Sequence, residues 1–338
     1  GWNGPARAPA LLTLACETGR ADASIGVLCS TAWAMLALMD FHHPGGCNAG
    51  TVFAPMYASD ALQTPAVILP GAGMKGMDTP LFLGRSIHAG AKKSGSGFAL
   101  SGRDLRPLVA GGIADHFCVV CTMDGDRPCV AFVPGNAPGL RRGPSILMTG
   151  LNACGNAEIG LHDVPVSGAP VLEREGVVEE LYAWLNLLLG GVSVGAATNF
   201  FELLADWSDS RVIKGGTTLK ENPLCASVLA DVAEEIALAK LLLYDLAVII
   251  ASSPEPGHQA IRRTFTYAEM IGHRAQQGVM RAMNRGLELM GSAGYAKEWH
   301  VEKHWRDVKT IQSILYGMAA DAPLKMDTAR FFYDCTQI

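Results

Sequence analysis

The residues best placed to do chemistry cluster near the C-terminus. Gly291–Lys309 reads GSAGYAKEWHVEKHWRDVK. A glycine-rich turn leads through an aromatic loop into a helix predicted from about Val301, where Glu302, Lys303, Arg306 and Asp307 can pair at helical spacing. Glycines without Cβ atoms let a ligand approach the backbone; the same run also reads as a structural turn followed by a solvated helix. His300 and His304 have the i,i+4 spacing of a metal pair, but no third ligand accompanies them or His42-His43, so no metal is expected. Cys118 and Cys121 fall in an apolar run, CVVC, that alternates like a strand. Residues three apart in a strand face opposite sides and cannot share an ion.

The elements that must position these residues fall into three segments. Residues 1–64 are predicted helical: Ala8–Gly19 and Ala21–Met39 carry apolar residues at helix spacing, Asp22 can serve near a helix start, and Pro44-Gly45-Gly46 stops the second helix. Residues 65–172 change period. Phe98–Leu100, His116–Val120, Val130–Val133 and Glu158–Leu161 read as short strands between Gly, Pro, Asp and Asn clusters, as in a small β domain of barrel type. Residues 173–338 return to helices over Leu181–Trp207, Pro223–Ala251, His258–Met290 and Val301–Ala320, which suits a four-helix bundle. The fold class is therefore α+β.

Composition narrows the function. With 338 residues, 49% hydrophobic and 17% charged, the chain can bury a large core, and its low charge suggests a surface shared with partner subunits. A net charge of -5 gives no basic field for phosphate backbones, so nucleic-acid binding is not expected. Nine scattered cysteines read as reduced core thiols of a cytoplasmic protein. Leu181–Phe201 has no charged side chain over about the length of a bilayer span. Asn186, Gly190-Gly191, Ser193, Gly195, Thr198 and Asn199 interrupt it, however, and small residues of this kind suit close packing in a bundle rather than membrane insertion.

Three stretches together resemble the acyl-CoA dehydrogenases. The Gly291–Lys309 run is similar to that family's Gly-Gly-x-Gly-Tyr turn followed by Val-Glu-Lys-x-x-Arg-Asp-x-Lys. Arg20–Leu28, RADASIGVL, is similar to its Arg-Ala-Asp-Ala-Ser helix, and Leu147–Val166, LMTGLNACGNAEIGLHDVPV, to the end of its β domain. Order and spacing match over almost the whole chain. The resemblance implies an acyl-CoA dehydrogenase-like fold: a helical N-terminal domain, a small central β-barrel domain and a C-terminal four-helix bundle. Only nineteen residues precede Arg20, so the N-terminal domain (1–64) is expected to be truncated relative to the family.

The resemblance also implies FAD in the cleft between β domain and bundle, a carboxylate that takes a proton from the carbon beside an acyl-CoA thioester, and hydride transfer to the flavin, which an electron-transfer flavoprotein often reoxidises. Pro70–Gly73, PGAG, resembles the family's first flavin loop, with Ile68, Leu69, Met74 and Lys75 where it has Thr, Glu, Ser and Asp. In the second loop Val109 replaces the Thr that reaches the flavin. The base position falls on Leu315 or, aligned on the following glycine, on Tyr316, a phenol of ordinary pKa about 10 and a weak base at neutral pH. The family's alternative base position, on the first bundle helix, falls at about Leu185. Groups the family offers to a neighbouring subunit's FAD are partly kept: Arg211, whose forked guanidinium suits a diphosphate, and the Gly291-Ser292-Ala293-Gly294 turn. The expectation is a supporting subunit that lacks the usual catalytic Glu and pairs with a Glu-bearing sister chain. The alternatives are a catalytic homo-oligomer with a relocated base (Tyr316, Asp40, Glu179 or Asp321) acting on an unusual cyclic, aromatic or branched acyl-CoA, and a flavin-free scaffold.

Overall fold

The computed structural model describes residues 7–38, 63–74, 85–95, 97–123, 127–166, 171–252 and 258–334. The predicted helix stop at Pro44-Gly45-Gly46, and Asp40, His42, His43 and Lys75, lie outside them. The chain opens with α1 (Arg7–Ala21) and α2 (Ala23–Leu38). Asp22 separates the two, and its Oδ1 accepts the amide protons of Ser24 at 2.8 Å and Ile25 at 3.1 Å. A carboxylate there satisfies donors that the first turn of α2 leaves without helical partners.

Among the described residues ten strands follow: β1 (Pro65–Ile68), β2 (Gly71–Met74), β3 (Arg85–Ser86), β4 (Ala89–Ser94), β5 (Gly97–Leu105), β6 (His116–Met123), β7 (Arg127–Pro134), β8 (Leu140–Ser145), β9 (Ala157–Val166) and β10 (Val171–Leu172). Eight form one sheet in the order β10-β7-β6-β4-β5-β9-β8, with β1 paired in parallel to β6, while β2 and β3 pair separately. Strand β6 is buried along almost its whole length, which its apolar run requires of a central strand covered on both faces. The register sets Cys121 opposite Cys129, with sulfurs 3.3 Å apart. Cys121 thus meets a residue on the neighbouring strand, not Cys118.

The helical part comprises α3 (Val177–Ser210), α4 (Pro223–Ala251), α5 (His258–Met290), α6 (Val301–Tyr316) and α7 (Met318–Asp334). Asn222 caps α4, accepting from the amide of Leu224 at 3.0 Å, and Pro223 stands at the first helical position, where it gives up no bond. Helix α3 lies at the centre, packed by α1, α2, α4, α5 and α6. It is long and apolar enough to cross a membrane, but most of it is buried inside the protein. Each fully buried Leu or Phe on it contributes about 1.5–3 kcal/mol. Contact with α1 is close enough that a Cβ on Gly195 would lie 1.9 Å from the Cys16 carbonyl oxygen. The helix predicted over Val301–Ala320 ends earlier: Gly317 adopts ψ 160°, and the chain restarts as α7.

Candidate functional site

Between the sheet and the helices runs a cleft of about 910 Å³. Ile68 and Leu69 at the end of β1 and the Leu105–Leu108 turn after β5 form one wall. Tyr182 of α3, Glu269 of α5, Ile314 and Leu315 of α6 and Leu324 of α7 form the other. Ile314 and Leu315 come from the last turn of α6 and Leu324 from α7, on either side of the break at Gly317.

Polar side chains in the cleft lining include His88, Asp104, Arg106, Asn156, Glu269 and Lys309. Asp104 at the mouth is exposed and adopts φ 52°. Arg106 is also exposed at the rim, where its Nε donates to Glu158 at 2.6 Å. Asn156 is buried: its Nδ2 donates to the Leu151 carbonyl at 3.0 Å, and its Oδ1 has no hydrogen-bond partner among the described residues. Glu269 is only 6% exposed. The cleft thus holds one exposed carboxylate and one buried one.

Behind the Glu269 wall, Tyr316 packs against α5. A Cβ on Gly272 would lie 2.1 Å from the Tyr316 hydroxyl and 2.5 Å from Asn186 Oδ1, so only glycine admits these two groups to the helix backbone. Among the described residues neither atom has a hydrogen-bond partner. The Tyr316 ring lies 5.2 Å from that of His273. Burial first, and then the negative charge of Glu269, push the Tyr316 phenol well above its ordinary value. Tyr316 is therefore a poorer base here than in water, and Leu315, not Tyr316, lines the cleft.

The charged motif on α6 works as a fastener. Lys303 Nζ donates to Asp22 Oδ2 at 2.9 Å and to Asp307 Oδ2 at 2.8 Å, while Asp307 Oδ1 accepts from the Leu151 amide at 2.8 Å. Arg306 Nε donates to Glu302 at 2.5 Å and its Nη1 to the Thr149 carbonyl at 2.8 Å; the Gly150 amide donates to Thr310 Oγ1 at 3.0 Å. One face of α6, over about two turns, thereby ties the start of α2 and the 148–151 loop to the bundle. His304 on the same helix is buried, and burial pulls its imidazole below the ordinary value. His300 precedes the helix at φ 59° and is exposed.

The remaining sequence candidates separate into two places. Ile68 lines the cleft, but the Val109 side chain belongs to the core and is absent from the lining. Arg211 stands at the C-terminal end of α3 on an exposed loop that continues through Gly215 and Gly216, both at positive φ. Its guanidinium has no partner among the described residues. Gly291 (φ 61°) and Ser292 are exposed after α5, whereas Gly294 is buried against Leu287. Of the alternative bases, Glu179 sits in the first turn of α3 outside the cleft lining, and Asp321 falls on α7. Leu185 is fully buried in α3.

Comparison with known proteins gives this geometry a context. Residues 187–315 match the model of the acyl-CoA dehydrogenase C-terminal domain. The chain is similar to the acyl-CoA dehydrogenases. It is 25% identical over 234 residues to cyclohexane-1-carbonyl-CoA dehydrogenase of Geobacter metallireducens, covering 67% of this chain and 59% of that protein. It is 24% identical over 302 residues to the mitochondrial short/branched chain specific acyl-CoA dehydrogenase of Rattus norvegicus, covering 87% of this chain and 65% of the relative. The match thus spans roughly six tenths of the length of these dehydrogenases. The structure of butyryl-CoA dehydrogenase from Megasphaera elsdenii superposes with a TM-score of 0.76 at 19% identity, over 96% of this chain and 81% of that one, so the α+β fold is that of the acyl-CoA dehydrogenases.

Family members of this kind are FAD-dependent flavoproteins, and the residues present fit a flavin ring. The cleft is large, its β-domain wall at Ile68, Leu69 and Leu108 is apolar, and Asn156 Oδ1 stands without a partner where an imide N–H could donate. Glu269 is the cleft residue that sequence reasoning missed. Its local sequence, TYAEMIGH, carries one acidic residue in an amphipathic helix and gives no sign that this position faces a cavity.

Proposed function

We propose that this chain is a subunit of an FAD-dependent acyl-CoA dehydrogenase that introduces a double bond between the α and β carbons of an acyl-CoA thioester. The observation that carries this reading is the cleft between sheet and helices, with apolar side chains on both walls and one buried carboxylate, Glu269, in its lining. A buried carboxylate in such a cleft suits proton removal beside a thioester, because a charge taken out of water is weakly screened. When bound, FAD supplies the acceptor for the β-hydride. Ile68, Leu69 and Leu108 would cover the ring and Asn156 would accept its imide proton. Lys309 brings an exposed ammonium to the cleft lining, where a CoA diphosphate would need positive charge.

The subunit works in an oligomer in which Arg211 and the Gly291–Gly294 turn reach a neighbour's FAD. Supporting this, Arg211 is presented on an exposed loop without a partner among the described residues, and Leu224, Leu238, Leu241 and Val248 are exposed on α4. A second reading, favoured by Leu315 at the place where the resemblance sets the base, is that the chain is the supporting member of a hetero-oligomer with a Glu-bearing sister chain. An electron-transfer flavoprotein is the electron acceptor expected in either reading.

The test is to purify the assembly from its host, count FAD and chain types by native mass spectrometry, and add butyryl-CoA or cyclohexane-1-carbonyl-CoA without oxygen. One FAD per chain in a homo-oligomer, with bleaching of the flavin absorbance, is the expected result. Fewer flavins than chains, together with a second dehydrogenase chain, would establish the supporting role instead. A colourless assembly that binds neither thioester would refute both.

A further inference from the structure

We propose that Glu269, on α5, is the base that removes the α-proton of the thioester in this chain's own cleft. The inference rests on the dehydrogenase reading above and adds to it a residue for the proton step.

Three observations converge on this side chain. First, of the two carboxylates in the cleft lining, Asp104 is exposed at the mouth, whereas Glu269 is buried on the bundle wall beside Leu315 and Tyr182. A base must come within hydrogen-bond reach of the proton it takes, and a buried group on the substrate wall meets that requirement where a rim residue does not.

Second, the local packing brings α5 forward at this point. Gly272, one turn beyond Glu269, has no Cβ, so the Tyr316 ring nests against the α5 backbone with its hydroxyl beside Asn186 Oδ1. With Tyr316 held behind the wall, its neighbour Leu315 turns into the cleft as an apolar surface. The carboxylate then reaches the cavity from the adjacent helix.

Third, Glu269 lies in the middle of a 33-residue helix, a rigid mount of the kind that a positioned base requires. Chemically the step is a proton transfer: the α C–H bond breaks, the proton passes to a Glu269 oxygen, and the electron pair delocalises into the thioester carbonyl. Running it backward with a deuteron returns labelled substrate, so the step can be followed without net oxidation.

The experiment is α-deuterium wash-in. The FAD-loaded assembly is incubated in D2O, without oxygen or electron acceptor, with butyryl-CoA and separately with cyclohexane-1-carbonyl-CoA, and label at the α carbon is read by mass spectrometry. Wild type should incorporate deuterium; Glu269→Gln should slow this by about 10²–10⁴-fold while FAD content stays unchanged. Glu269→Asp should fall between them, and Tyr316→Phe should exchange like wild type. If Glu269→Gln does not fold, Glu269→Ala with added formate serves in its place, formate restoring exchange in the vacated space. Undiminished exchange in Glu269→Gln, or loss of exchange in Tyr316→Phe alone, overturns the assignment while leaving the dehydrogenase reading intact. A wild-type assembly that binds FAD and thioester but neither exchanges nor bleaches overturns this assignment and the self-catalytic form of the reading together.

Discussion

The cleft wall and the outer end of the bundle carry their polar groups in opposite ways. On the wall, Glu269 projects from the middle of a long helix, is buried, and has its direction set by packing. At the outer end, Arg211 sits just past a helix terminus on a loop whose Gly215 and Gly216 adopt left-handed backbone angles with open space around them. A buried group is ordered by folding itself. An exposed arginine keeps its rotamer freedom until something binds it, at a cost of up to about 2 kcal/mol. The first arrangement suits a role within the subunit and the second a role toward a neighbour.

The comparison can be tested most severely at the wall, where Glu269→Gln carries the largest expected effect, the loss of α-proton exchange described above. Next comes a change that disturbs both regions through their common support. Gly195→Ala places a methyl group against the Cys16 carbonyl; forcing α1 away from α3 should cost about 1–3 kcal/mol and lower the denaturant midpoint. Equal stability of Gly195→Ala and wild type would show that α1 is not seated as described.

Arg211→Ala sharpens the contrast from the other side. Charge-assisted hydrogen bonds contribute about 1.5–3 kcal/mol, so FAD retention by the assembly should weaken roughly ten- to a hundredfold, measured by ultrafiltration against free flavin. Stability of the subunit itself should stay within about 0.5 kcal/mol, as for other surface substitutions. A drop in thermal stability without flavin loss would make Arg211 a structural residue.

The smallest effect concerns acid. Burial alone would raise the Asp22 carboxyl, but bonds from Lys303 and from the Ser24 and Ile25 amides outweigh it and hold the group below its ordinary value. A carboxyl depressed on folding contributes stability that is present above its unfolded value, about 3.9, and is lost as pH falls through the lower folded value. Asp22→Asn keeps the helix cap but loses the partly exposed ion pair, worth roughly 1 kcal/mol or less. Its urea midpoint should therefore differ from wild type at neutral pH and converge toward it below about pH 4. A constant difference across that range would mean that the carboxylate charge contributes nothing.

Much of the fold was legible because its signals are local. Pro223 after Asn222 marks the start of one helix, and the spans Pro223–Ala251 and His258–Met290 occur as read. The strands were read too short, since β5 and β9 extend into polar residues such as Arg103 and His162 that a search for apolar alternation passes over. The site was harder. Asp307 is spaced for a solvated helix face, yet its side chain is 3% exposed, because its partners at Leu151 and, through Lys303, Asp22 lie far away in sequence. Glu269 was invisible for the same reason: what makes it a cleft residue is the packing of Tyr316 and Asn186 against Gly272, which no local period encodes. Val109 stands where the resemblance puts a flavin-contacting Thr, but its side chain turns into the core of the β domain.

The fastener on α6 also fixes what in this cleft can move. Lys303, Arg306, Asp307 and Thr310 bond to two separate parts of the chain on successive positions of one helix face, so a slip of one turn, about 5.4 Å, would break every one of these bonds at once. The helix is keyed to its seat like a toothed shaft, with one register and no neighbouring one to fall into. Leu315, a few residues further along, is therefore held at one place on the cleft lining, and the cleft cannot be lengthened by sliding the helix aside.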